Sequence, residues 1–123
     1  MSERPFTRLD PSGPPGPITS RCVVHDRIAY IGGLVAADLS ADTAGQTREV
    51  LERVDAYLRR VGSDRDHILT VQVWLADMRR FAEMNEVWNA WVGDGPPPAR
   101  ACVGGELFRR DAAVEIMVTA AVP

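Results

Sequence analysis

Arg100 and Glu115 are the residues of this chain best suited to handle a small charged molecule. They stand in two apolar segments near its end. The first runs Pro96-Pro97-Pro98-Ala99-Arg100-Ala101-Cys102-Val103-Gly104-Gly105-Glu106-Leu107, and the second contains Val114-Glu115-Ile116-Met117-Val118-Thr119. Read with period two, Ala101, Val103, Gly105 and Leu107 share one apolar face, matched by Val114, Ile116, Val118 and Ala120. The opposite faces carry Arg100, Cys102 and Gly104, and Glu115, Met117 and Thr119. A hairpin turning between Arg109 and Arg110 sets Gly104 opposite Glu115 and makes the apolar faces coincide, as a strand register requires. Arg100 then lies four residues along the strand from Gly104, about 13 Å, which leaves room for a small acid between guanidinium and carboxylate. Arginine's planar fork suits a carboxylate, and a glutamate in a partly dry pocket can move protons. The plainer alternative is a solvated strand face with two unrelated charges.

The elements that must position this pair are legible in outline. Residues 1–17 read as an irregular Pro/Gly-rich lead-in, with a short edge strand at Phe6–Leu9 as its one regular piece. Thr19–Val24 and Arg27–Gly33 read as strands around a turn at His25-Asp26. Asp42 or Thr43 can cap a helix running to about Val61 and stopped by Gly62. Its apolar stripe is Val50, Leu51, Val54, Tyr57, Leu58 and Val61. Residues 66–76 form a strand whose apolar face is Leu69, Val71, Val73 and Leu75. Asp77 can cap a second helix, about Met78–Val92, that buries Phe81, Met84, Trp88 and Trp91. The order ββ-α-β-α-ββ predicts an α+β domain spanning 1–123, a mixed sheet with two helices on one face. The other face, with Arg100, Glu115, Gln72, Trp74, Met117 and Thr119, is a candidate self-association surface with clefts at its edges.

Composition excludes several classes. The 123 residues carry a net charge of −3, which gives no electrostatic case for nucleic acid. No apolar run approaches a membrane span, and the start Met1-Ser2-Glu3-Arg4-Pro5 has no hydrophobic signal region, so a cytoplasmic location is expected. Cys22 and Cys102, the only cysteines, do not make a disulfide framework. His25 and His67 lack ligand spacing, so no metal is expected.

The chain resembles the RidA family, also called YjgF or reactive-intermediate deaminases. Pro98-Ala99-Arg100-Ala101-Cys102-Val103 followed by Val114-Glu115-Ile116 is the most specific match. Gly33, Gln46, Gly62, and Val73-Trp74-Leu75-Ala76-Asp77-Met78 leading to Phe81 and Asn85 add to it. The resemblance implies a chorismate-mutase-like fold, a homotrimer with ligand clefts between subunits, and no cofactor. It implies hydrolysis of enamine and imine intermediates such as 2-aminoacrylate to a 2-keto acid and ammonia. Arg100 matches the arginine that binds the substrate carboxylate, Glu115 the glutamate that positions water and handles protons, and Cys102 the cysteine whose backbone lines the pocket. Three matched positions differ from the common pattern: Ile18 where many members have tyrosine, Gly32 where many have serine, and Met117 where some have a second glutamate. Ile18, Gly32, Gly33 and Met117 thus join Arg100 and Cys102 as expected substrate-contacting residues. Two other functions stay open, a non-catalytic trimer that binds small carboxylates and a pathway-specific relative acting on a larger enamine acid.

Overall fold

The computed structural model describes residues 5–123. Six strands form one sheet: β1 (Phe6–Ser12), β2 (Thr19–His25), β3 (Ile28–Leu34), β4 (Ile68–Leu75), β5 (Ala99–Gly104) and β6 (Val114–Ala121). Their spatial order is β1-β2-β3-β6-β4-β5. All pairs are antiparallel except β4 with β5, which run parallel. Helices α1 (Thr43–Arg60) and α2 (Phe81–Val92) cover one face. The expected mixed α+β sheet with two helices on one side is therefore present.

The local signals work as physical chemistry requires. Asp42 caps α1 by accepting a hydrogen bond from the Gly45 amide at 2.7 Å. The helix ends where Gly62 takes φ +78° and the Ser63 amide reaches back to the Leu58 carbonyl at 2.8 Å. Val50, Leu51, Val54, Tyr57 and Leu58 are buried, and so are Gln46 and Thr47, which the apolar stripe did not include. Gln46 bridges two loops, the β3–α1 and β5–β6 connections. Its Nε2 donates to the carbonyls of Leu39, Ala41 and Asp111, and its Oε1 accepts from the Ala113 amide at 2.8 Å. The β2–β3 turn uses Asp26 and Arg27, both at positive φ, one residue later than expected.

The lead-in is more regular than its composition suggested. Residues 6–12 form a full edge strand paired to β2, and proline is tolerated there because an edge strand leaves one row of amides unpaired. Asp10 adopts a left-handed φ of 51°, and its carboxylate accepts from Arg60 at 2.6 Å and from the Tyr57 hydroxyl. β1 is thereby tied to α1.

Three expectations about faces are corrected. A register shift between Ile68 and Thr70 turns Ile68 inward and leaves Leu69 46% exposed. Phe81, expected in the core, opens α2 at the rim of the helix layer and is 38% exposed. The largest correction concerns the predicted hairpin. β4 lies between β5 and β6, so Gly104 pairs with Leu75 rather than facing Glu115. β5 is also turned over: Arg100 and Cys102 align with the buried Val71 and Val73, whereas Ala101 and Val103 face outward. The β6 face is as expected, with Val114, Ile116, Val118 and Ala120 buried. A parallel strand needs a crossover to reach its partner, and α2 supplies one from β4 to β5. β6 pairs instead with β3 and β4, which leaves β5 at the sheet edge with β4 as its one partner.

Candidate functional site

The inverted β5 places Arg100 on the helix side of the sheet, at its edge. Its guanidinium carbon is 5.1 Å from the Trp88 ring centre and 5.9 Å from that of Phe81, and Nη1 is 3.7 Å from the Met84 sulfur. All three neighbours belong to α2. No carboxylate pairs with Arg100 among the described residues. A half-buried cation without a counter-ion keeps its planar fork free for hydrogen bonding to an anion. Cys102, two residues on, shares this face and is half-buried. Burial pushes its thiol pKa up, and the nearby Arg100 charge only partly opposes this. The thiol is protonated at neutral pH and is a poor nucleophile.

Glu115 lies on the other face. It is half-buried, pairs across β6–β4 with Trp74, and lies over Gly33. A Cβ at Gly33 would come 3.0 Å from the Glu115 Cδ and closer still to its carboxylate oxygen, so only glycine leaves the space this side chain occupies. The β3–β6 register slips between Ile31 and Leu34, and this irregularity contains both Gly32 and Gly33. Met117 is on the same face of β6 and is 39% exposed. A Cβ at Gly32 would stand 3.8 Å from the Ser20 carbonyl, two residues from Ile18, which is 82% exposed in the β1–β2 connection.

The expected site residues therefore fall into two groups. Glu115, Gly33, Gly32 and Met117 gather on the open face, with Ile18 at the neighbouring strand end. Arg100 and Cys102 stand on the helix side of the edge strand. Val103 shares a row with Trp74 and Glu115, so Arg100 is two strands and three residues from Glu115, about 14 Å between Cα atoms, and points the other way. One chain alone does not bring them onto one small acid. A shallow depression of about 410 Å³ opens over Thr70, Gln72, Ala99, Ala101, Met117 and Thr119, and the edge-strand residue Arg100 and its neighbour Val71 also border it. A groove of about 660 Å³ lies elsewhere, between α1 and α2.

One feature escaped the residue-by-residue reading. Asn85, one turn before Trp88's end of α2, has a buried Oδ1 with no hydrogen-bond partner among the described residues. The sequence signal was only its place in the Phe81-to-Asn85 match; nothing in periodicity distinguishes an orphaned amide from a surface one.

Comparison with known proteins agrees with this fold. The family model described as endoribonuclease L-PSP matches residues 14–122. The chain is 40% identical over 103 residues to the RutC family protein YoaB of Escherichia coli, covering 84% of this chain and 90% of that one. It is 38% identical over 103 residues to a RutC family protein of Haemophilus ducreyi, covering 84% and 88%. A YjgF family protein of Neisseria meningitidis superposes with a TM-score of 0.88 at 36% identity, covering 97% of this chain and 96% of that one. With a family model spanning both helices and strands β2 to β6, and relatives of this identity and coverage, the chain belongs to the RidA/YjgF/RutC family.

Proposed function

We propose that this protein hydrolyses small enamine and imine acids of the 2-aminoacrylate type to 2-keto acids and ammonia. The proposed site is a cleft between subunits of a homotrimer, where Arg100 of one copy meets the Glu115 face of the next. The observation that carries this reading is a pair of charges with no ion pair among the described residues: Arg100 at the sheet edge and the Glu115 carboxylate over Gly33 on the open face, too far apart to serve one ligand within a chain. An edge strand and an open face are the surfaces that a neighbouring copy can bring together.

The chemistry follows from the two charges. Arg100 binds the substrate carboxylate and fixes C2 in the cleft. An enamine first takes a proton from solvent at C3 to become the iminium ion. Glu115 then accepts a proton from water as the water oxygen bonds to C2 and the C=N π electrons move to nitrogen. Protonation of nitrogen and loss of the hydroxyl proton collapse the carbinolamine to ketone and ammonia. No redox step is involved, and the residues named supply binding and proton transfer.

Met117 and Gly33 bring no side-chain donor to fix a water beside Glu115. That favours, as a second reading, a trimer that binds small keto acids without turning them over. Generating 2-aminoacrylate or 2-iminobutyrate in situ and following its loss separates the two. Acceleration over buffer supports the hydrolase. No acceleration, with 2-oxobutyrate still bound, supports the binding protein. RNA cleavage, suggested by the family model's description, has no support in a chain of net charge −3.

A further inference from the structure

Phe81, Met84 and Trp88 recur at helical spacing and read as a core stripe, but they also surround a charge. Trp88 is 8% exposed and Phe81 38%, and both rings lie within cation–π reach of the Arg100 guanidinium, at 5.1 and 5.9 Å. A carboxylate is the partner that matches a buried guanidinium bidentately. Here α2 presents two rings and a thioether instead. An aromatic face attracts the cation without cancelling its charge, whereas a protein carboxylate would occupy the fork and repel an incoming acid. Holding the guanidinium in advance also lowers the side-chain entropy lost when a ligand binds.

We propose that Trp88 and Phe81 are positioning residues that keep Arg100 placed and un-neutralised for a ligand carboxylate. This rests on the reading of Arg100 as the carboxylate seat. The rings act through Arg100 and enter no chemical step. Their contribution is to affinity, so their loss raises KM and leaves kcat nearly unchanged.

The test uses the full-length protein, 2-oxobutyrate as the probe, and the variants Phe81→Leu, Trp88→Leu, Trp88→Phe and Arg100→Ala. Binding is titrated by calorimetry, and the Arg100 Nε–Hε resonance is followed by NMR. Phe81→Leu and Trp88→Leu are each expected to weaken 2-oxobutyrate binding by about 5-fold, and Trp88→Phe to stay within about 2-fold of the parent. The Hε resonance should carry an upfield ring-current shift in the parent and in Trp88→Phe, reduced in both leucine variants. A merely structural role would not produce this pattern. If Trp88→Leu does not fold, Phe81→Leu decides, since that residue is partly solvent-exposed. Parent-like binding in Phe81→Leu, or equal losses in Trp88→Leu and Trp88→Phe, overturns the positioning role provided that Arg100→Ala still abolishes binding. If Arg100→Ala binds as the parent does, the carboxylate-seat reading fails instead.

Discussion

Glu115 occupies the space that any side chain at position 33 would need: a Cβ on Gly33 would stand 3.0 Å from the Glu115 Cδ. Gly33 is not at positive φ, so alanine is conformationally acceptable there, and the steric conflict falls on the glutamate alone. Gly33→Ala is expected to keep the fold and slow turnover by on the order of 10-fold through displacement of Glu115. Circular dichroism with steady-state kinetics checks both halves. Unchanged turnover would mean that Glu115 does not act from its place over Gly33.

Arg100 and Glu115 should fail differently. Arg100→Lys keeps the charge and loses the planar fork, so binding of the acid should weaken. Glu115→Gln keeps the shape and loses the base, so turnover should fall by about 100-fold or more while 2-oxobutyrate still binds. If Glu115→Gln abolished binding and left the turnover of bound substrate intact, the assigned roles would be reversed.

If each cleft takes Arg100 from one copy and Glu115 from the next, two inactive variants can repair one another. Random co-assembly of Arg100→Ala with Glu115→Gln puts one intact cleft in every mixed trimer, so about a quarter of the parental activity should return. Light scattering on the same samples gives the assembly state. No recovery in verified mixed trimers would place both groups in the same copy, and a stable monomer at micromolar concentration would remove the shared cleft altogether.

Gln46 is buried and bonded to four backbone groups on two loops. Gln46→Leu fills similar space but leaves the Ala113 amide and three carbonyls short of a partner, which should cost about 3 kcal/mol. The measurement is urea unfolding. Ala113 immediately precedes β6, so the same change should disturb Glu115 and reduce activity beyond what stability accounts for.

The β1 tether is pH-sensitive only in strong acid. Hydrogen bonds from Arg60, then from Tyr57, hold the Asp10 carboxyl near 2, below its ordinary 3.8. A carboxyl depressed in the folded state stabilises fully above the ordinary value, and the contribution is lost as pH falls through the folded one. Amide exchange in β1 should therefore rise between pH 4 and 2, and Asp10→Asn should remove that dependence. An unchanged profile in Asp10→Asn would show that Asp10 does not hold the strand.

The two charged residues of the proposed site, and most of the elements around them, were legible in the chain because local rules set them. Asp42 and Gly62 bound α1 through capping and a left-handed turn, and the alternation of β6 fixed its buried face whatever strand lay beside it. The pairing of β5 was a different matter. Period two defines two faces but not which is inward, and an arginine whose charge rests on the rings of Trp88 and Phe81 looks from sequence like an outward residue. Nor can alternation tell a hairpin from two strands separated by a third. That depends on α2 carrying the chain across to the far side of β4, a long-range packing outcome. The sequence alone thus determined the two charges and their strands. Only the tertiary structure decided that they point away from each other, because the sheet face an edge strand presents is set by its neighbour's register and by the helix that covers it.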